Sequence, residues 1–146
     1  MIVPASRIAD DVLDGGPADG AVGAIAVDLR LDEEAMWPDG EYTDLPSYIK
    51  PGEMIVAVTM ERLDVPRDLM AVIAGRSSDM RRGLWQPTGF VKPGFTGRVN
   101  VELANVSKSN CGLSRGDRIC QLVFVRVDGL ARPYDGQYQD QEGPRR

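Results

Sequence analysis

PGEMIVAVTMERLDVPRDLMAVIAGRSSDMRRGL, residues 51–84, sets two apolar runs, MIVAVTM (54–60) and LMAVIAG (69–75), between turn residues at Pro51-Gly52 and Val65-Pro66. Runs of this length, rich in Val and Ile and bounded by turns, read as strands. Without regular polar alternation, both faces of these strands are expected to be buried. The following GRSSDMRRG (75–83) carries helical propensity, with Ser77 or Ser78 placed to cap its start.

The pattern holds on either side. RVNVELANV (98–106) alternates with period two, Val99, Val101 and Leu103 on one face and Asn100, Glu102 and Ala104 on the other. ICQLVFVRV (119–127) is another strand, after a turn at Arg115-Gly116-Asp117, and AIAVDLRL (24–31) alternates in part. Asp32–Tyr48, acidic and turn-rich with Trp37-Pro38 and Asp39-Gly40, is expected as a surface excursion, and Gly15–Val22 as a mobile connection. Only SRIADDVL (6–13) reads as a longer helix, with Ser6 as N-cap, apolar Ile8, Ala9, Val12 and Leu13, and a Gly15-Gly16 stop. Sixteen Gly and ten Pro fall between short apolar runs, so the fold is mostly β, a sandwich or distorted barrel. No internal repeat is visible, and 146 residues suit one domain.

Composition excludes several chemistries. There is no histidine, so a Ser-His-Asp triad, a Cys-His pair or a His-containing zinc site cannot be built. Cys111 and Cys120 are too few for a four-Cys site, which also removes zinc-dependent nucleobase deamination, and they read as reduced, small apolar residues. Hydrolytic chemistry must use carboxylates, hydroxyls, Arg, Lys or a bound hard metal. Seventeen Lys and Arg against 22 Asp and Glu give a net charge of -5, which disfavours binding to nucleic acid or an anionic membrane. The longest apolar runs fall far short of the roughly 20 residues that span a bilayer. With no basic-then-apolar leader pattern at its start, the chain is expected to be soluble and cytoplasmic.

Three places can carry chemistry. Glu102 is a carboxylate on a strand whose other face enters the core; the plain alternative is a solvated strand residue. Gly75-Arg76-Ser77-Ser78 opens a helical turn directly after a strand, where backbone N–H groups and an Arg can receive an anion, although a capped turn with a surface Arg explains it equally well. The tail from Pro133 has almost nothing to bury, so it is either a frayed end or a cover over a ligand. Its Tyr134, Gln137, Tyr138, Gln139 and Gln141 offer stacking surface and neutral hydrogen bonds suited to a base or sugar. Lys92, before Pro93-Gly94, reads as a solvated turn cation.

In order and spacing, these segments resemble the dCTP deaminase branch of the trimeric dUTPase-like superfamily. VDLRL (27–31) is similar to its early strand, residues 51–84 to its strand-strand-GRSS core, PGFTGRVNVELAN (93–105) to its catalytic strand, GDRICQLVF (116–124) to its penultimate strand and PYDGQYQDQEGP (133–144) to its closing tail. The resemblance implies a distorted β-barrel or jelly-roll over 1–132, with residues 133–146 closing over a nucleotide site. It further implies a homotrimer with sites at subunit interfaces, binding a deoxynucleoside triphosphate with Mg2+ and using no zinc. By position, Glu102 would be the general base, Ser77 would hold the attacking water, and Arg81 would steady the carboxylate and the developing charge. Arg76 and Ser78 would hold phosphate oxygens, with Thr88, Lys92 and Gln121 also at the nucleotide; Tyr134, Gln137, Tyr138 and Gln141 would fold over sugar and triphosphate, burying Glu102.

Three positions depart from the family pattern. Lys92 replaces an aspartate that activates water in dUTPases and contacts the sugar in deaminases, so triphosphate cleavage by the dUTPase route is expected to be lost. Gln137 replaces a phosphate-binding lysine; Arg145 and Arg146 either substitute for it or form a free end. GLWQPTGFVK (83–92) has the shorter dUTPase spacing. The implied activity is deamination of dCTP to dUTP and ammonia. The alternatives are a regulatory nucleotide-binding protein, for which a Lys92–Glu102 ion pair would be the sign, and a dUTPase-type pyrophosphatase.

Overall fold

The computed structural model describes residues 1–146. Its strands, in chain order, are β1 (Ile2–Val3), β2 (Ala26–Met36), β3 (Tyr42–Asp44), β4 (Tyr48–Ile49), β5 (Met54–Asp64), β6 (Leu69–Gly75), β7 (Leu84–Trp85), β8 (Gly89–Val91), β9 (Thr96–Asn105), β10 (Cys111–Gly112) and β11 (Arg118–Arg126). Two short helices, α1 (Ala9–Val12) and α2 (Ser77–Arg81), complete the set. One antiparallel sheet runs β7-β9-β5-β2-β11-β6-β8, with β1 added to β11 and β3 to β2, while β4 and β10 pair separately. The sheet curls into a half-barrel, so the mostly-β, dUTPase-like expectation holds. Its inner face buries Leu29, Leu31, Ile55, Leu103, Ile119, Leu122 and Phe124 completely.

β9 follows the expected alternation: Val99, Val101 and Leu103 are buried, whereas Asn100 and Ala104 are half-buried and Glu102 is exposed. β5 and β6 do not bury both faces as their apolar runs predict. Apart from a fully buried Ala57-Val58-Thr59 stretch, an exposed Asp64 and a half-buried Ala74-Gly75 end, they alternate between buried and half-buried residues, because one face of this curled antiparallel sheet has no covering layer within the chain. At Thr59 the register against β9 shifts; its hydroxyl accepts the Val99 N–H at 3.1 Å and donates to the Glu61 carbonyl at 3.0 Å, satisfying the interrupted ladder.

Three other expectations are corrected. Residues 6–13 do not form one helix. A 3-10 turn at Ala5–Arg7 gives way at Ile8 to the single-turn α1, and Ser6 does not cap it. So short a helix lacks intrinsic stability, and burial of Ala5, Ala9, Val12 and Leu13, with the Asp14 N–H bonded to the Arg62 carbonyl at 2.9 Å, takes precedence. Second, α2 has Arg76 at its N-cap and no side-chain cap from Ser77 or Ser78.

Third, residues 32–48 are not a simple surface excursion. β2 continues to Met36 past a register shift, and β3 pairs back on it. The acidic stretch stays in the sheet because Asp32, 7% exposed, is neutralised. Arg98 from β9 bonds its Oδ2, the Arg115 Nε lies 2.9 Å from Oδ1, and the Glu33 N–H donates to Oδ1 at 2.9 Å. Burial raises the Asp32 carboxyl, but the Arg115 hydrogen bond, the Glu33 N–H and the Arg98 charge outweigh it and hold the group below the ordinary carboxylate range. The stability it contributes is therefore present above the unfolded value of about 3.9 and is lost as pH falls through the lower folded value. Asp32→Asn is expected to cost about 1–3 kcal/mol at pH 7 and to flatten the acid limb of stability, checked by urea unfolding across the acid range; an unchanged acid limb would remove Asp32 from this role.

Candidate active site

Strand β9 borders a cavity of about 420 Å³. Val99, Asn100 and Glu102 of β9 and Val56 of β5 form one side, Ile73 of β6 and Gly89–Val91 of β8 another, so the curl brings both ends of the sheet to one opening. Lys92, Phe95, Tyr134, Tyr138, Gln141, Arg145 and Arg146 complete the lining.

The tail is not frayed. It lies along the N-terminal half of β9, whose outer edge β7 leaves free: the Arg98 N–H donates to the Gln141 carbonyl at 2.8 Å and the Asp140 N–H to the Thr96 carbonyl at 2.9 Å. Gln141, 4% exposed, donates from Nε2 to the Arg98 carbonyl at 2.7 Å. Arg62 pairs with Asp140 at 3.5 Å and with Glu142, which also lies 3.5 Å from Arg98. Asn100, turned so that both ends of its amide are satisfied, accepts the Arg145 N–H at 2.9 Å and donates to the Gly143 carbonyl at 3.2 Å. Backbone pairing and ion pairs thus order a segment poor in apolar side chains. Gly97, at φ +131°, permits the approach, since a Cβ there would meet the Gln141 carbonyl oxygen at 2.8 Å.

Glu102 is exposed rather than covered by this tail, so tail closure within one chain does not desolvate it. No ion pair joins it to Lys92, whose ammonium stands 5.1 Å from the Tyr134 ring centroid. Arg145 is held by the Gln137 carbonyl at 2.7 Å and Arg146 by the Pro38 carbonyl at 2.6 Å, neither facing a carboxylate partner. Against the single Glu102, the cavity therefore gathers three cations.

The GRSS turn lies outside this cavity. Ser77, Ser78 and Arg81 are exposed and make no side-chain hydrogen bond or ion pair, Thr88 is exposed in the β7–β8 loop, and Gln137 lines a neighbouring cavity. Arg76 and Gln121 converge instead on Asp28, Gln121 donating at 3.0 Å and the Arg76 Nε standing 3.7 Å away. Of the expected residues, one group thus gathers around Glu102, and Arg76 and Gln121 form a second, while Ser77, Ser78, Arg81, Thr88 and Gln137 join neither.

The sequence profile described as dCTP deaminase-like matches residues 41–127. The chain belongs to the dCTP deaminase-like family. A Halobacterium salinarum protein named dCTP deaminase, dUMP-forming, is 44% identical over 103 residues, 66% of this chain and 53% of that protein. A Halorubrum lacusprofundi dCTP deaminase is 36% identical over 118 residues, 76% of this chain and 56% of that protein. The chain spans about half the length of the curated relatives it matches. In fold it is similar to the Agrobacterium tumefaciens 2'-deoxycytidine 5'-triphosphate deaminase, with TM-score 0.73 and 21% identity over 86% of this chain and 48% of that one. The EIAV dUTPase is similar at TM-score 0.51 and 23% identity, over 77% and 97%.

Within this dCTP deaminase-like chain, Asn100 is a lining residue that was not singled out as a candidate, although its place two residues before Glu102 on the same face of β9 carried the signal. Asp28, buried at the centre of the Arg76 group, carried no sequence signal as a hub. Removing the Gln141 side chain should release the tail without unfolding the sheet. Gln141→Ala is expected to speed proteolysis within 133–146 by about tenfold while the melting temperature moves only a few degrees; equal cleavage rates would show that the backbone pairs alone hold the tail.

Proposed function

We propose that this chain is a zinc-independent deaminase converting dCTP to dUTP and ammonia, assembled as a homotrimer. The observation that carries the reading is Glu102, a carboxylate on a cavity wall with no cationic partner and no hydrogen bond to occupy it. A general base needs this freedom and a water within reach. In the proposed reaction Glu102 takes a proton from water as its oxygen adds to C4 of cytosine. It delivers that proton to N3, and a further proton transfer lets the amino group leave as ammonia. Ser77 holds the water and Arg81 steadies the charge.

Since Ser77 and Arg81 lie outside the Glu102 cavity of the same chain, the reading requires a second copy to bring its GRSS turn to this opening. The half-exposed face of β5 and β6 agrees with such contact. In the proposed complex Tyr134 and Tyr138 flank the sugar or base, while Arg76, Ser78, Gln121, Arg145 and Arg146 receive phosphate, with Gln137, Gln141 and Thr88 as neutral partners. The absence of a Lys92–Glu102 ion pair favours a working base over the regulatory alternative. Although the Halobacterium relative is named as dUMP-forming, Lys92 offers no carboxylate to activate a second water, and we therefore assign dUTP as product. No cluster of three metal-ligating side chains is present, so the residues do not form a protein cage for magnesium. The metal in this reading arrives on triphosphate oxygens and neutralises their charge.

With magnesium and dCTP the protein is expected to release dUTP and ammonia, and Glu102→Gln to lower kcat by at least about 100-fold; nucleotide chromatography and an ammonia assay check this. A panel of dCTP, dCMP, dUTP and their ribo counterparts that all bind without turnover would establish the regulatory reading instead. Light scattering is expected to give three times the chain mass; a clean monomer would leave Glu102 without Ser77 and end the proposal.

A further inference from the structure

Asp28 is the point at which the Arg76 group is held together. It lies on β2, is 8% exposed, and sits directly opposite Gln121 of β11, which in turn faces Ala74 of β6. The Asp28 Oδ1 accepts from the Gln121 Nε2 at 3.0 Å and lies 3.7 Å from the Arg76 Nε; its Oδ2 lies 3.5 Å from the Arg118 Nη1. The Arg76 Nη1 also donates to the Arg118 carbonyl at 3.0 Å. Arg76 is thus fixed at two points, by a carboxylate and by a backbone oxygen, while its Nη2 has no protein partner. Arg118 is likewise held at two points, its Nη2 donating to the Asp19 carbonyl at 3.0 Å, and both guanidinium side chains remain partly exposed, at 30% and 37%.

Two guanidinium groups against one carboxylate leave one positive charge uncompensated, and the nearby Arg30 is already matched by Glu61 at 2.7 Å. A buried ion pair is seldom worth more to stability than apolar packing, so a carboxylate here is better explained by the geometry it imposes. A planar guanidinium held at two of its three nitrogens presents its remaining N–H groups, chiefly those of Nη2, in a fixed orientation, which suits the oxygens of a polyphosphate.

We propose that Asp28 is a positioning residue for phosphate recognition, holding Arg76 and Gln121 in place and adding Arg118 to the surface that receives the phosphate chain. The proposal rests on the reading of Arg76 and Gln121 as nucleotide-binding, and it extends to two residues that reading does not include.

Inorganic tripolyphosphate separates the two claims, because it presents the phosphates without a base to deaminate. Calorimetric titration of the full chain should show binding, weakened about tenfold by Asp28→Asn and partly restored by Asp28→Glu. With dCTP as substrate, Asp28→Asn should raise KM by a similar factor while kcat changes by less than about threefold. Tripolyphosphate binding without dCTP turnover would end the deamination reading and leave the positioning role standing. An unchanged affinity in a folded Asp28→Asn protein would overturn the proposal, as would a wild-type protein that does not bind tripolyphosphate. If Asp28→Asn does not fold, Arg76→Lys decides, since it keeps the charge and gives up the planar guanidinium: a loss of about tenfold supports fixed geometry, and retained affinity overturns it.

Discussion

The register of β9 against β5 governs where the chemistry of this chain can be, and one buried hydroxyl spans the place where that register is interrupted. Thr59, completely buried, takes the Val99 N–H that the shifted ladder would leave unpaired and returns its own proton to the Glu61 carbonyl. A slip by one residue would send Val99, Val101 and Leu103 outward and drive Glu102 into the core, at a cost no alternative pairing recovers. The same register places Asn100 beside Glu102 and sets Arg98 where it can meet both Asp32 and the tail. Core packing and site construction are therefore two outcomes of one strand's alternation.

What was legible in the sequence follows from the range of the interactions involved. The strand around Glu102 could be read because its alternation is local, and the turns before β5 and β11 because Gly and Pro act locally as well. The N-terminal helix could not, because its length is set by contacts with Arg62 and Leu63 far along the chain. Asp32–Tyr48 looked like a loop because its acidity dominates the local pattern, and only Arg98 and Arg115, distant in sequence, make a strand there stable. The tail's order depends on main-chain pairing with β9, to which side-chain composition is nearly blind.

The site residues show the same division. The tail aromatics, Gln141, Lys92 and Glu102 were named from local pattern and resemblance, and the structure brings them to one cavity. The GRSS turn stands outside that cavity although Ile73 of β6 lines it, because the turn leaves from the C-terminal end of β6, past the part of the strand that borders the opening. Charge is distributed as unevenly as position: a chain of net charge -5 places three cations at the cavity. A polyanionic ligand approaching from a distance would meet a repulsive field and at contact an attractive one, and at ionic strengths near 0.15 M the first is screened beyond about 8 Å.

Gly97 offers a separate handle on this arrangement. Its α-carbon lies so close to the returning main chain that even a methyl group leaves no room, yet it lines neither the Glu102 opening nor the Asp28 cluster. A small side chain introduced there acts as a wedge that holds the cover open while every group meeting the ligand keeps its identity. Such an ajar form would let entry and exit be timed separately from chemistry.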